Sequence, residues 1–113
     1  MKIYIAGKIT DLEPDEAEAN FLFAEMLVTE AGHEPLNPLT MVDQTPGRKY
    51  GEYLADALQI MLTQADAVLF LANWNESRGA RVEMVTAGEC GIPMYFKAEA
   101  LPIGSDWPEV GEQ

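Results

Sequence analysis

Residues 66–83 read Asp66-Ala67-Val68-Leu69-Phe70-Leu71-Ala72-Asn73-Trp74-Asn75-Glu76-Ser77-Arg78-Gly79-Ala80-Arg81-Val82-Glu83. Ala67 to Leu71 is a short, wholly apolar run, as expected of a central strand with both faces covered. Asn73 to Arg78 is a polar loop. A helix then runs over 79–90 and stops at Gly91, which suits the position just past a helix end. A strand, a polar loop and a helix in this order are one unit of an α/β fold.

The same alternation extends in both directions. Lys2 to Gly7 (Lys-Ile-Tyr-Ile-Ala-Gly) predicts a first buried strand. Pro14 opens a helix over 14–31, where its missing N–H costs nothing, and Asp15, Glu16 and Glu18 favour its positive end. Ala17, Phe21, Ala24, Leu27, Val28 and Ala31 form its apolar face, with Gly32 closing it. His33 to Pro38 is a short strand ended by Asn37-Pro38. Residues 39–50 read as a loop. Residues 51–64 form a second long helix that buries Tyr53 or Leu54, Ala57, Leu58, Met61 and Leu62. Ile92 to Phe96 is a fourth strand. Strands alternating with helices imply a parallel sheet with right-handed crossovers, so the fold class is α/β. Ligands of such sheets sit at the carboxyl ends of the strands. The loops that matter are therefore 7–13, 38–50, 72–80 and 97 onward.

The chain has 113 residues, enough for one domain. We place it at 1–100, with 101–113 as an acidic tail. Seven Lys and Arg face 19 Asp and Glu, a net charge of −12. That balance argues against nucleic-acid polymers and anionic membranes, which are bound through Lys and Arg. One cysteine and one histidine leave no Cys-based zinc site and no site needing two imidazoles, and no metal is expected. No apolar run approaches a membrane span, and the N-terminus lacks a signal-peptide pattern, so a cytoplasmic protein is the expectation. Cys90 is read as buried packing, His33 as a turn residue, and Met26, Met61 and Met84 as core filler.

Six of the seven basic residues fall in or beside those loops: Lys8, Arg48, Lys49, Arg78, Arg81 and Lys97. A cationic rim at the ligand edge of an acidic protein suits a small anion. Gly7-Lys8-Ile9-Thr10 supplies a glycine, backbone N–H groups and a hydroxyl for a phosphate. It has the spacing of neither a dinucleotide-binding loop nor a P-loop. Ser77 and Gly79, with Arg78 between them, stand where a helix begins, and serine with free backbone N–H groups there binds anions. Glu83 lies about one turn further in and projects toward the same strand end. Trp74 in the same loop can stack on a base or fill a subunit contact.

Together, Lys-Ile-Tyr-Ile-Ala-Gly, Asn-Pro, Ala-Asp-Ala-Val-Leu-Phe-Leu, Glu-Ser-Arg-Gly-Ala-Arg-Val-Glu and Ala-Gly-Glu-Cys-Gly-Ile-Pro carry a resemblance. Over about residues 1–97 the chain resembles the nucleoside 2-deoxyribosyltransferase-like superfamily, which includes the 2′-deoxynucleoside 5′-phosphate N-hydrolases. It is nearest to the small bacterial and phage members. The resemblance implies a flavodoxin- or Rossmann-like three-layer sandwich with a four- to five-stranded parallel sheet, no cofactor, and a homodimer or higher homo-oligomer. It implies breakage or exchange of an N-glycosidic bond in a (deoxy)nucleoside or its 5′-monophosphate. Glu83 matches the nucleophile, Tyr4 the hydroxyl that orients it, Ser77 the phosphate-binding serine, and Gly7 and its neighbours the first phosphate loop. One feature departs. The superfamily's catalytic aspartate, eight residues before the strand-opening aspartate, falls on Leu58. The nearest carboxylate is Asp56, about 200° away around a helix. Either Asp56 is brought in or the proton donor is missing, so a non-catalytic nucleotide-binding module on the same fold stays open.

Overall fold

The computed structural model describes residues 1–103. Strands β1 (Lys2–Ala6), β2 (Glu34–Leu36), β3 (Ala67–Phe70) and β4 (Met94–Tyr95) form one sheet in the order β2-β1-β3-β4, and every pair is parallel. Four helices alternate with them: α1 (Pro14–Glu30), α2 (Pro38–Met41), α3 (Tyr50–Gln64) and α4 (Arg78–Glu89). The four-stranded parallel sheet with flanking helices is the expected three-layer α/β architecture.

Side-chain alternation along the strands builds the layers. Ile3 and Ile5 of β1 and Ala67 and Leu69 of β3 pack with Phe21, Ala24 and Val28 of α1. Tyr4 and Ala6, with Val68 and Phe70, pack on the other face with Ala57 and Met61 of α3 and Ala80 and Ala87 of α4. Two strands buried on both faces explain why their sequences are apolar throughout. From β1 the chain crosses to β2 on one side, whereas β3 lies on the other. The sheet order therefore reverses between β1 and β3, where a crevice opens beyond their carboxyl ends.

Local chemistry sets the ends of the helices. Pro14 occupies the first turn of α1. At its far end Gly32 has φ 91°, and the N–H groups of Gly32 and His33 return to the carbonyls of Thr29 and Val28. Gly91 (φ 71°) ends α4 likewise, with Gly91 and Ile92 bonded to Gly88 and Ala87. Both helices end in Schellman motifs at the glycines where the sequence reading placed their ends. Asp66 ties β1 to β3 at their amino ends: its Oδ2 accepts from Lys2 N–H at 2.8 Å. It stands at the opposite end of the sheet from the crevice.

Several local expectations need correction. The stretch 39–50 is not all loop, because Pro38 opens the one-turn helix α2 under an Asn37 cap that accepts from Leu39 N–H at 2.9 Å. One turn is too short to show an apolar period. Met26 and Leu62 are 47% and 43% exposed, on the outer sides of α1 and α3. Cys90 is exposed, since it caps α4 beyond the last apolar turn. His33 follows the α1 turn but is buried, and its Nε2 lies 2.6 Å from the Pro102 carbonyl oxygen. Leu101 is buried among the α1-face core residues, so the start of the stretch read as a tail packs with the domain. The remainder of that stretch, 104–113, lies outside the described residues. No helix among the described residues is long and apolar enough to cross a membrane.

Candidate active site

The crevice holds a cavity of about 210 Å³. Its floor is β1, its walls are the loop after β1 and the start of α3, and α4 closes one side. Glu83, in the second turn of α4, lies between these elements and is only 5% exposed. Position 83 falls on the same inward face of α4 as Ala80 and Ala87, which anchor the helix on the sheet. A carboxyl forced inward by helix geometry needs a partner. Tyr4 supplies it: the Tyr4 hydroxyl, rising from β1, donates a short hydrogen bond to Glu83 Oε2.

Burial governs the protonation of this pair. Removal from water pushes Glu83 up to about 7, and the Tyr4 hydrogen bond opposes that rise. Tyr4 goes well above the usual phenol range through its own burial and through the neighbouring Glu83 carboxylate. Near neutrality Glu83 therefore exchanges a proton readily, while Tyr4 keeps its own.

Two further tyrosines, both from α3, complete the chamber. Tyr53 is pushed up to about 12, mainly by burial. The neighbouring Gln44 side chain opposes that rise, but no hydrogen bond to the hydroxyl forms among the described residues. Tyr50 is half exposed and is also pushed up by burial and by Glu83, with the Gly79 backbone opposing the rise. Its hydroxyl lies over the N-terminus of α4, and a Cβ at Gly79 would approach it to 2.6 Å. Gly79 is therefore spare room for the Tyr50 hydroxyl. Gly7 is spare room for another side chain, since a Cβ there would meet Leu71 Cδ1 at 2.6 Å.

Ser77 caps α4, its Oγ accepting from Ala80 N–H at 3.1 Å. That leaves the hydroxyl hydrogen free to donate. A second cavity of about 480 Å³ adjoins the first, sharing Thr10, Tyr50 and Ser77 with it and adding Arg78 and Arg81. Asp11 and Glu76 line it too.

The structure thus gathers Glu83, Tyr4, Gly7, Thr10, Ser77 and Gly79 around one chamber, with Arg78 next door. Three sequence candidates lie elsewhere. Asp56 points away and takes the Arg48 guanidinium at 2.8 Å, its side chain 46% exposed. The Lys8 ammonium pairs with Glu76 at 3.3 Å, and its backbone N–H is bound by Asn73. Trp74 packs in an aromatic cluster with Phe70 and Phe96, at ring centroids 5.6 and 5.5 Å away. The cationic rim dissolves in the same way: of its six members, only Arg78 and Arg81 reach the paired cavities. Tyr50, Tyr53 and Gln44 were missed. Tyr53 carried a signal as a possible inward position of its helix, but its hydroxyl was read only as packing.

The four-stranded parallel sheet with its flanking helices is a deoxyribosyltransferase-like α/β fold. It is similar in structure to a 2-deoxyribosyltransferase from the psychrotolerant bacterium Bacillus psychrosaccharolyticus. The two share 18% sequence identity at a TM-score of 0.61, over 83% of this chain and 69% of that one. By sequence, residues 1–96 match the family described as Domain of unknown function (DUF4406), and the chain belongs to that family. No curated protein matches it. No group of three or more His, Cys, Asp or Glu able to hold a metal ion occurs among the described residues.

Proposed function

We propose that this protein breaks the N-glycosidic bond of a (deoxy)nucleoside 5′-monophosphate, with Glu83 as the nucleophile. The observation that carries this reading is Glu83 itself. It is a buried carboxyl with one oxygen fixed by Tyr4, facing a nucleoside-scale chamber at the sheet's switch point. In the ionised form it attacks C1′, the bond to the base breaks, and a glycosyl ester forms. Water or an acceptor base then displaces the carboxylate with overall retention of configuration. Water makes the protein a hydrolase; a second base makes it a transferase. The phosphate lies across the shared boundary of the two cavities, where Ser77 donates a hydrogen bond and Arg78 and Arg81 supply positive charge. The likeness to a 2-deoxyribosyltransferase supports the nucleoside end of the substrate. A homodimer in the cytoplasm, with no nucleic-acid polymer, membrane or cofactor involved, completes the proposal.

The position of Asp56 favours a second reading, a nucleotide-binding module without catalysis, because no carboxylic acid other than Glu83 lines the chamber among the described residues. Incubation with nucleoside monophosphates, followed by chromatography for free base, separates the two. Base released by the wild type and not by Glu83→Gln supports the nucleophile. Binding without release by either protein establishes the module.

A further inference from the structure

The chamber's lining is unusual for a site that expels an ordinary nucleobase. Breaking the bond to a neutral base sends the electron pair onto a ring nitrogen, and the departing anion needs a proton. Glu83 is occupied as the nucleophile, and the described residues place no other carboxyl, histidine or lysine in the chamber. Asp56 is held outside by Arg48. In the outer cavity, Glu76 is held by Lys8, and Asp11 lines that cavity without reaching the chamber that holds Glu83. The three phenols are poor acids: Tyr4 is committed to Glu83, and burial raises all three above the ordinary phenol range. What the chamber does offer is aromatic rings and negative charge. Tyr4, Tyr50, Tyr53 and Phe21 line it together with Glu83, and no cationic side chain does among the described residues. Aromatic rings beside a carboxylate attract cations, and the protein's net charge of −12 adds to that field.

Resting on the N-glycosidase reading above, we infer that the preferred substrate is a nucleotide whose heterocycle is already cationic, a pyridinium or N-alkylated purinium N-glycoside. Such a group leaves without a proton. Glu83 forms the C1′–O bond as the C1′–N bond breaks, and that electron pair neutralises the ring, which departs uncharged. Water then adds its oxygen to C1′, the carboxylate is restored, and one proton passes to solvent. Sugar phosphate, neutral heterocycle and one H⁺ are the products of substrate plus water. The outer cavity, with Arg78 and Arg81, accommodates the phosphate of the same molecule.

The test compares nicotinamide mononucleotide and 7-methylguanosine 5′-monophosphate with GMP, dGMP and dTMP, scoring free heterocycle by chromatography. The two cationic probes should exceed the neutral ones in kcat/KM by roughly 10²-fold or more, the usual worth of general-acid help. The pH–rate profile for nicotinamide mononucleotide, whose pyridinium has no ring proton to lose, should rise through the Glu83 ionisation and then stay level. The ring contribution is read from Tyr50: Tyr50→Leu should raise KM for the cationic probes while Tyr50→Phe does not. Neutral nucleotides cleaved as fast as cationic ones, or a profile falling again at high pH, overturn this inference and leave the N-glycosidase reading standing. No cleavage of any probe overturns both.

Discussion

Glu83 and Asp56 are both carboxyls on helices that cover the same face of the sheet, and both stood out in the sequence as catalytic candidates. Their surroundings differ in every respect that matters. Glu83 is buried, takes a hydrogen bond from Tyr4 and faces a cavity. Asp56 is half in solvent and paired with an arginine at 2.8 Å. Desolvation drives Glu83 up to about 7. The guanidinium of Arg48 already satisfies Asp56. Helix register makes the difference: Asp56 precedes the buried Ala57 by one residue, about 100° round α3, whereas Glu83 lies three residues after the buried Ala80. The chemistry of a carboxyl here is decided by which way its helix turns.

The sharpest way to break that contrast is Glu83→Gln. It keeps the shape and the acceptor for Tyr4 but removes the proposed nucleophile. Glycosidic cleavage should fall by at least about 10³-fold, measured by release of free base. Full activity in this variant would sink the nucleophile assignment.

The next effect is on stability. In the unfolded chain Glu83 titrates near the ordinary carboxyl value of 4.5, and in the fold near 7. Between those values the native state holds a proton that the unfolded state has lost, so stability falls as pH rises. The contribution is fully present below about pH 4.5 and lost as pH passes through about 7. Its full span is at most about 3 kcal/mol. Melting temperatures from pH 5 to 8 should show this fall in the wild type but not in Glu83→Gln, with the other carboxyls cancelling in the difference. Identical profiles would mean that Glu83 is not desolvated.

Tyr4→Phe probes the partner. It leaves the buried Oε2 without a donor, at a cost of about 1–3 kcal/mol. Because that hydrogen bond holds Glu83 down, its loss should move the acid limb of the pH–rate profile to higher pH. Activity should then fall further at pH 6 than at pH 8. A uniform loss at every pH would show that Tyr4 does not act through the carboxyl.

The fold was legible because its signals are local and redundant. Apolar runs at 2–7 and 67–71, Pro14, and glycines at 32 and 91 each mark a strand, a helix start or a helix end on their own. That Glu83, Tyr4 and Ser77 share one chamber was legible through the resemblance and their place at strand ends and a helix start. What was not legible depends on pairing across the chain. Nothing in the local sequence shows that Lys8 meets Glu76 or that Arg48 takes Asp56, contacts of 68 and 8 residues' separation. A basic residue in a loop looks free until its counter-ion is found, so the cationic rim was overcounted. Gly7 reads as an approach for a ligand and Gly79 as part of an anion-binding helix start, yet each makes room for a side chain, Leu71 and Tyr50. Tyr50 was not singled out and Tyr53 only as packing, because an aromatic residue in a helix carries no mark separating packing from substrate contact.

The smallest expected effect completes the contrast. Asp56→Asn removes the charge facing Arg48 but keeps the shape. Asp56 is about half in solvent, where such bridges contribute little, and Arg48 retains Glu52 at 4.0 Å and the Asp43 carbonyl at 2.9 Å. The melting temperature should hardly move, and kcat and KM should stay within about two-fold. A loss of ten-fold or more in kcat would show that Asp56 reaches the substrate. Arg48→Gln distinguishes how it does so. If Asp56 turns inward once released, Arg48→Gln should raise the rate on ordinary nucleotides, because a donor for the departing base has been freed. If the rate is unchanged in both variants, Asp56 is a surface group of α3 and takes no part in the reaction.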